Sequence, residues 1–265
     1  MLGLQAHGLR FVSAGGYHQD MTGSTYHRTE PAGSSQAVVL FDVDGTLIRT
    51  EGRSRHSRAF HAAFLEVFGC ECQFAANMHG MTDLQIYMAL AQELPHVDGR
   101  CRSMAEEACR RMVEIYRTPD HSDGFYVALP GALETLEALT RLGVLLGLLT
   151  GNVPEIARDK LVAIRADRFF SFGAYGTDGV DRSELPPIAI ARAEAVAGRP
   201  VDRGRVFIVG DTPRDVACAL DNGCRAVAVA TGSFSLSELA AAGAELVLPD
   251  LKDAGPLLRL MGARV

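Results

Sequence analysis

Two aspartates two residues apart close an apolar run: Ala37-Val38-Val39-Leu40-Phe41 leads into Asp42-Val43-Asp44-Gly45-Thr46. In an extended backbone residues i and i+2 point to the same side, so Asp42 and Asp44 can face one ligand. A second apolar run, Val206 to Val209, leads into Gly210-Asp211-Thr212-Pro213-Arg214-Asp215, which adds two more acids. A third, Val144 to Leu149, ends in Thr150-Gly151-Asn152. Gathered together, these carboxylates repel one another: at an effective dielectric of ~20, each pair about 4 Å apart costs roughly 4 kcal/mol. A cation relieves that repulsion, and an oxygen-only donor set without His or Cys points to Mg²⁺.

The elements that must position these residues are read from periodicity. The three apolar runs are continuous, as expected of strands buried on both faces. Shorter strands are expected near 171–175, 226–230 and 245–248. Between them fall helical patterns over about 131–142, 154–163, 185–197, 213–222 and 235–242, two of them closed by Gly143 and Gly223. Strands alternating with helices predict an α/β fold, a Rossmann-like parallel sheet with helices on both faces. In such sheets ligands bind beyond the carboxyl ends of the strands, where all the acids above lie. Residues 51–127 break the alternation. Phe60, Phe64, Val67 and Phe68 mark one face of a helix, and further helices are expected over 82–93 and 103–117 with no strand between. The chain therefore reads as a flexible tail over 1–36, a core built from 37–50 and 128–265, and an all-helical insert over 51–127.

Asp42-Val43-Asp44-Gly45-Thr46, Thr150 after its strand, and Gly210-Asp211-Thr212-Pro213-Arg214-Asp215 resemble the first, second and fourth motifs of the haloacid dehalogenase-like hydrolases. The likeness spans 37–265, and the position of the insert resembles the branch with a helical cap that includes phosphoglycolate phosphatases. What the resemblance implies is a Mg²⁺-dependent phosphatase acting on a small phosphorylated metabolite through an aspartyl-phosphate. Asp42 is then the nucleophile and Asp44 the general acid and base. The metal falls to Asp42, the Asp44 carbonyl, Asp211 and Asp215, and the phosphoryl oxygens to Thr150, Gly151 and Asn152. The family's third motif supplies a cation, usually lysine. Here the segment before the 185–197 helix offers Arg182 instead, with Lys160 as its competitor.

Gly80-Met81-Thr82-Asp83 resembles the substrate loop of that branch, which makes Thr82 a candidate contact, with helix capping as its alternative. Arg49 and Arg53 are candidates for a second anionic group on the substrate, while the other arginines near them read as a solvated face. His56 extends the Phe60/Phe64 stripe and reads as a buried structural histidine, with a place facing the cleft as its alternative, and Met78, Met81, Met88, Met104 and Met112 read as packing.

Composition narrows the alternatives. With 32 acids against 26 bases and a net charge of −6, a nucleic-acid surface is not expected. No apolar run reaches the roughly 18–20 residues of a membrane span. The start lacks the pattern of a signal peptide, and six cysteines without paired metal spacing suggest free thiols in the cytoplasm. Lysine occurs only at 160 and 252, so a Schiff base in the 51–127 insert is excluded. A sugar phosphomutase shares the core motifs and remains the enzymatic rival. A non-catalytic phospho-accepting or binding module is the rival of another class. Oligomeric state is left open.

Overall fold

A computed structural model describes residues 36–74, 78–92, 94–95, 97 and 99–262. The expected tail, 1–36, lies outside the described residues except for Gln36. Six strands, β1 (Val38–Phe41), β4 (Leu145–Leu149), β5 (Phe172–Ala174), β6 (Val206–Gly210), β7 (Arg225–Val229) and β8 (Leu246–Leu248), form one parallel sheet in the order β5-β4-β1-β6-β7-β8. The chain builds outward from β1 in one direction, then crosses to β6 and builds in the other. The strand order thus reverses between β1 and β6, where an open parallel sheet leaves a crevice at its carboxyl edge. Register brings the ends level: Phe41 pairs with Leu148 on one side and Val209 on the other. The residues that follow these strands must therefore meet.

Alternation along β1 builds two cores. Val39 and Phe41 join the cluster that takes in α4 (Ala132–Arg141) and α9 (Gly255–Leu260). Val38 and Leu40 join the one that takes in α6 (Leu185–Ala197), α7 (Pro213–Asp221) and α8 (Leu236–Ala241). The sheet is thus covered on both faces.

The segment between β1 and β4 carries α1 (Arg55–Phe68), α2 (Asp83–Ala91) and α3 (Cys101–Tyr116) around a third apolar cluster. Ser54 caps the start of α1 by accepting from the Ser57 amide, and Gly69, at φ 75°, ends it in the left-handed region. Phe60, Phe64 and Phe68 form its buried stripe, and Tyr87 of α2 stacks on Phe60 with ring centroids 3.9 Å apart. Val153 and Ile156, at the start of α5 (Pro154–Ala163), belong to the same cluster and seat the helices on the sheet side.

Two features differ from the sequence expectation. α9 was not anticipated, and the passage into and out of the helices is a ribbon of two antiparallel strands, β2 (Ile48–Glu51) and β3 (Phe125–Ala128), where no strand was expected. Each has four residues and its partner is distant in sequence, so neither produces a local signal. Arg58 clamps the ribbon's far end through a two-pronged contact with Asp123, at 2.7 and 2.8 Å. Gly124 passes the Glu51 carbonyl so closely that a Cβ there would stand 2.0 Å from its oxygen. Among the described residues no helix is long and apolar enough to cross a membrane.

Candidate active site

Asp42 follows directly from β1, its amide donating to the Val209 carbonyl at 2.9 Å, so the sheet itself aims the side chain at the crevice. Gly45, at φ 79°, turns the chain back over Asp211; a Cβ there would lie 2.3 Å from Asp211 Oδ2, and one at Gly232 only 1.7 Å from the same atom. Two glycines thus let backbone crowd this carboxylate. Thr46 donates to Asp211 Oδ1 at 3.3 Å. Asp215 closes a capping box at the start of α7, accepting from the Thr212 amide and hydroxyl through Oδ2.

Asp42, Asp211 and Asp215 are buried, and each offers an oxygen within 4.8 Å of the others. Arg182, 4% exposed on the single 3₁₀ turn before α6, is the cation among them. Its Nη2 lies 2.9 Å from Asp42 Oδ1 and 2.6 Å from Asp215 Oδ1. The second contact is an ion pair without hydrogen-bond alignment, and Asp215 Oδ1 has no donor. Burial pushes the Asp42 carboxyl up to about 6, with Arg182 opposing and the Asp215 charge adding. Burial, then the charges of Asp42 and Asp215, push Asp211 up to about 8. Burial works against the charge on Arg182, but Asp215 and Asp42 outweigh it and hold that group well above the ordinary arginine value. Three buried acids against one cation, with an acceptor left bare, form a hard oxygen donor set that fits Mg²⁺.

Asp44 stands apart from that triad. Its side chain is 45% exposed, and Lys160 Nζ, on α5 and 1% exposed as a residue, reaches both its oxygens at 2.9 and 2.6 Å. Asn152 Nδ2 donates to the same carboxylate at 2.8 Å and to Thr150 Oγ1 at 2.7 Å. Desolvation works to raise the Asp44 pKa, but Lys160, His56 and the donor bonds outweigh it and hold the carboxyl below its usual value. Lys160 and Arg182 are therefore not rivals for one place; each sits on a different acid. Thr150 Oγ1 also accepts from the Asn152 amide at 3.3 Å, which leaves the hydroxyl's own proton for the cleft it lines. Gly151 lies under the start of α2, its carbonyl accepting from the Asp83 amide.

Three expected contacts are not brought in, of which Arg53 donates to the Ser122 hydroxyl at 3.1 Å and does not line the cleft. Thr82 is fully buried, caps α2 by accepting from the Gln85 amide and donates to the Val180 carbonyl, so its hydroxyl serves the helix terminus. Arg49 is 55% exposed, pairs with Glu51 on its own strand and does not line the cleft. In the other direction, His56, Met78 and Met81 line the cleft rather than serving as packing alone. His56 Nδ1 lies 3.1 Å from Lys160 Nζ, and Nε2 lies 3.2 Å from Asp83 Oδ1. The first turn of α1 overhangs the carboxyl edge of the sheet, which helical periodicity does not report.

The cleft above these groups holds about 290 Å³, at the small end of ligand pockets, which run from about 300 to 1,000 Å³. A larger cavity of about 460 Å³ opens between α3 and residues 177–179. Among the described residues the acids able to share a metal are Asp42, Asp211 and Asp215, and the first two line the smaller cleft.

The haloacid dehalogenase-like hydrolase family matches residues 39–229. A phosphoglycolate phosphatase of Pseudomonas syringae pv. syringae (strain B728a) is 27% identical over 223 residues, covering 83% of this chain and 79% of that protein. The pyrophosphatase PpaX of Bacillus mycoides (strain KBAB4) is 23% identical over 224 residues, 83% of this chain and 96% of its own. Among solved structures, a putative beta-phosphoglucomutase from Bacteroides vulgatus superposes with a TM-score of 0.61 at 18% identity, over 86% of this chain and 89% of that one.

Proposed function

The chain belongs to the haloacid dehalogenase-like hydrolases, and on that premise we propose that it is a Mg²⁺-dependent phosphatase. Its substrate is a small phosphorylated metabolite, phosphoglycolate-like or a sugar phosphate, and Asp42 carries the phosphoryl group between two half-reactions. The setting of Asp42 carries this reading: a carboxylate on the cleft floor, paired with Arg182 at 2.9 Å, inside a triad able to share a cation.

In the first half-reaction an Asp42 oxygen attacks phosphorus, the ester P–O bond breaks, and the leaving oxygen takes a proton from Asp44. In the second, water attacks the phosphorus of the acyl phosphate, Asp44 takes the water's proton, and Asp42 is released. Arg182 aligns Asp42 and neutralises phosphoryl charge, while the Thr150 hydroxyl and neighbouring amides hold phosphoryl oxygens. Asp42, the Asp44 carbonyl, Asp211 and Asp215 would hold Mg²⁺, which supplies positive charge against the phosphate dianion. Lys160 and Asn152 keep Asp44 ionised, the form the second half-reaction uses. The same contacts oppose the protonated form that the first requires, so above about pH 6, where Asp42 is already ionised, rising pH slows its phosphorylation and leaves the hydrolytic step level.

The helices α1 to α3, within 51–127, act as the cap on a core of 37–50 and 128–265. Their own apolar cluster and the ribbon that joins them to the sheet support this division. Six free thiols agree with a cytoplasmic setting.

The deciding experiment measures inorganic phosphate released from a panel of phosphorylated metabolites, with Mg²⁺ and with chelator, alongside hydroxylamine trapping of an acyl phosphate at Asp42. Magnesium-dependent release with trapping is expected. Phosphate moved within a sugar and never released would indicate a mutase, and no turnover at all a binding module.

A further inference from the structure

The phosphatase reading leaves open what the phosphate is attached to, and the wall of the cleft facing the leaving group bears on that. Between Arg58 and Arg100 the chain contains no lysine or arginine. That stretch supplies the cleft with Phe74, Met78, Met81 and Ile86, all partly exposed or exposed, and with the acid Asp83.

The cations close by are already engaged with acids. Arg182 pairs with Asp42 and Asp215, and Lys160 with Asp44. His56 is held between two of these groups: its Nδ1 faces the Lys160 ammonium, which can only donate, and its Nε2 faces Asp83. His79 stands edge-on to Phe234. Arg214 lies behind Gly80, where a Cβ would touch its stem at 3.1 Å, and does not line the cleft.

A leaving group with a carboxylate or a second phosphate would bring its charge against Asp44 and Asp83 and four apolar side chains, with no unengaged arginine or lysine among the described residues that line the cleft. Desolvating an anion without a partner is costly, whereas a neutral alcohol with an apolar face meets a matching wall.

We propose that this cleft selects phosphate monoesters of uncharged, partly apolar alcohols, and that esters whose leaving group carries a second anion are poor substrates. The proposal rests on the phosphatase reading and narrows it. It also sets this chain apart from the phosphoglycolate phosphatases and pyrophosphatases it resembles in sequence, whose leaving groups are anionic.

The test uses the full chain with Mg²⁺ and compares kcat/KM for 2-phosphoglycolate, its uncharged amide isostere, pyrophosphate and benzyl phosphate. The amide should exceed the acid by about ten-fold or more, with benzyl phosphate at or above the amide. Met81→Arg should shrink that ratio by raising turnover of 2-phosphoglycolate. Met78→Arg serves the same purpose if circular dichroism shows that the first variant does not fold. Turnover of 2-phosphoglycolate or pyrophosphate equal to or above that of the amide overturns the proposal while leaving the phosphatase reading intact. So does an acid-to-amide ratio unmoved in both folded variants. Failure to hydrolyse any ester removes the phosphatase reading itself, and this proposal with it.

Discussion

Asp42 and Asp44 are separated by one residue and end the same strand, yet their surroundings are opposite. Around Asp42 three buried carboxylates share one guanidinium, and the pKa values of Asp42 and Asp211 rise to about 6 and about 8. Around Asp44 one carboxylate receives an ammonium and an amide, and its pKa falls. Residue type is the same in both places; the ratio of acids to donors differs. The first arrangement is short of positive charge and suited to receive it with a metal ion. The second is balanced within the protein and suited to keep one proton acceptor ready.

The most damaging way to break this contrast is Asp42→Asn, which removes the proposed nucleophile. Phosphate release should fall by about 10³-fold or more, while the melting temperature stays level or rises because one of three crowded acids has gone. Full activity in this variant would end the mechanism.

Arg182→Ala breaks the other half of the first cluster. It strands buried carboxylates, and a loss of about 3–5 kcal/mol in unfolding free energy is expected in the metal-free protein, measurable by denaturant titration and partly restored by Mg²⁺. Lys160→Ala, compared with it, should act on Asp44 instead: the acid limb of the hydrolytic half-reaction moves to higher pH, because the charge that depressed the carboxyl is gone.

Linkage sharpens the contrast without mutation. Asp42 and Asp211 have raised folded pKa values, so between about pH 4 and about 8 the folded state holds more protons than the unfolded one. Stability of the metal-free protein should therefore fall as pH rises through that window, and saturating Mg²⁺ should flatten the trend. Asp44 has the opposite sign: its contribution is present above the unfolded carboxyl value and lost as pH falls through its depressed one. A metal-free melting temperature that climbs from pH 5 to 8 would contradict the crowding of the first cluster. The smallest effect belongs to Arg49→Ala, which should change kcat/KM by less than about two-fold, since an exposed pair contributes little.

The catalytic floor was legible because its signals are local. Each of β1, β4 and β6 is an uninterrupted apolar run with polar chemistry at its end, and a parallel sheet places those ends side by side. What escaped needed tertiary knowledge. β2 and β3 depend on each other across the whole helical insert. His56 follows the apolar stripe of α1 by spacing, and spacing alone does not separate burial in that stripe from the place it takes on the cleft wall. Arg182 and Lys160 competed for one place in the sequence because nothing there shows that two acids, two residues apart, would each need a cation. Thr82 had two sound readings, and the fold took the capping one because Val180 and Gln85 satisfy its hydroxyl.

The β2–β3 ribbon has a mechanical consequence. Two tethers hydrogen-bonded along their length act as a strap: they flex together, but neither can slide past the other. A slip of one residue would turn Ile48, now buried against the sheet, outward into solvent. The ribbon therefore fixes where α1 begins, and with it the place of His56 beside Lys160 and Asp44, so a graft of other helices onto the strap would have to keep that first turn to leave Asp44 as it is.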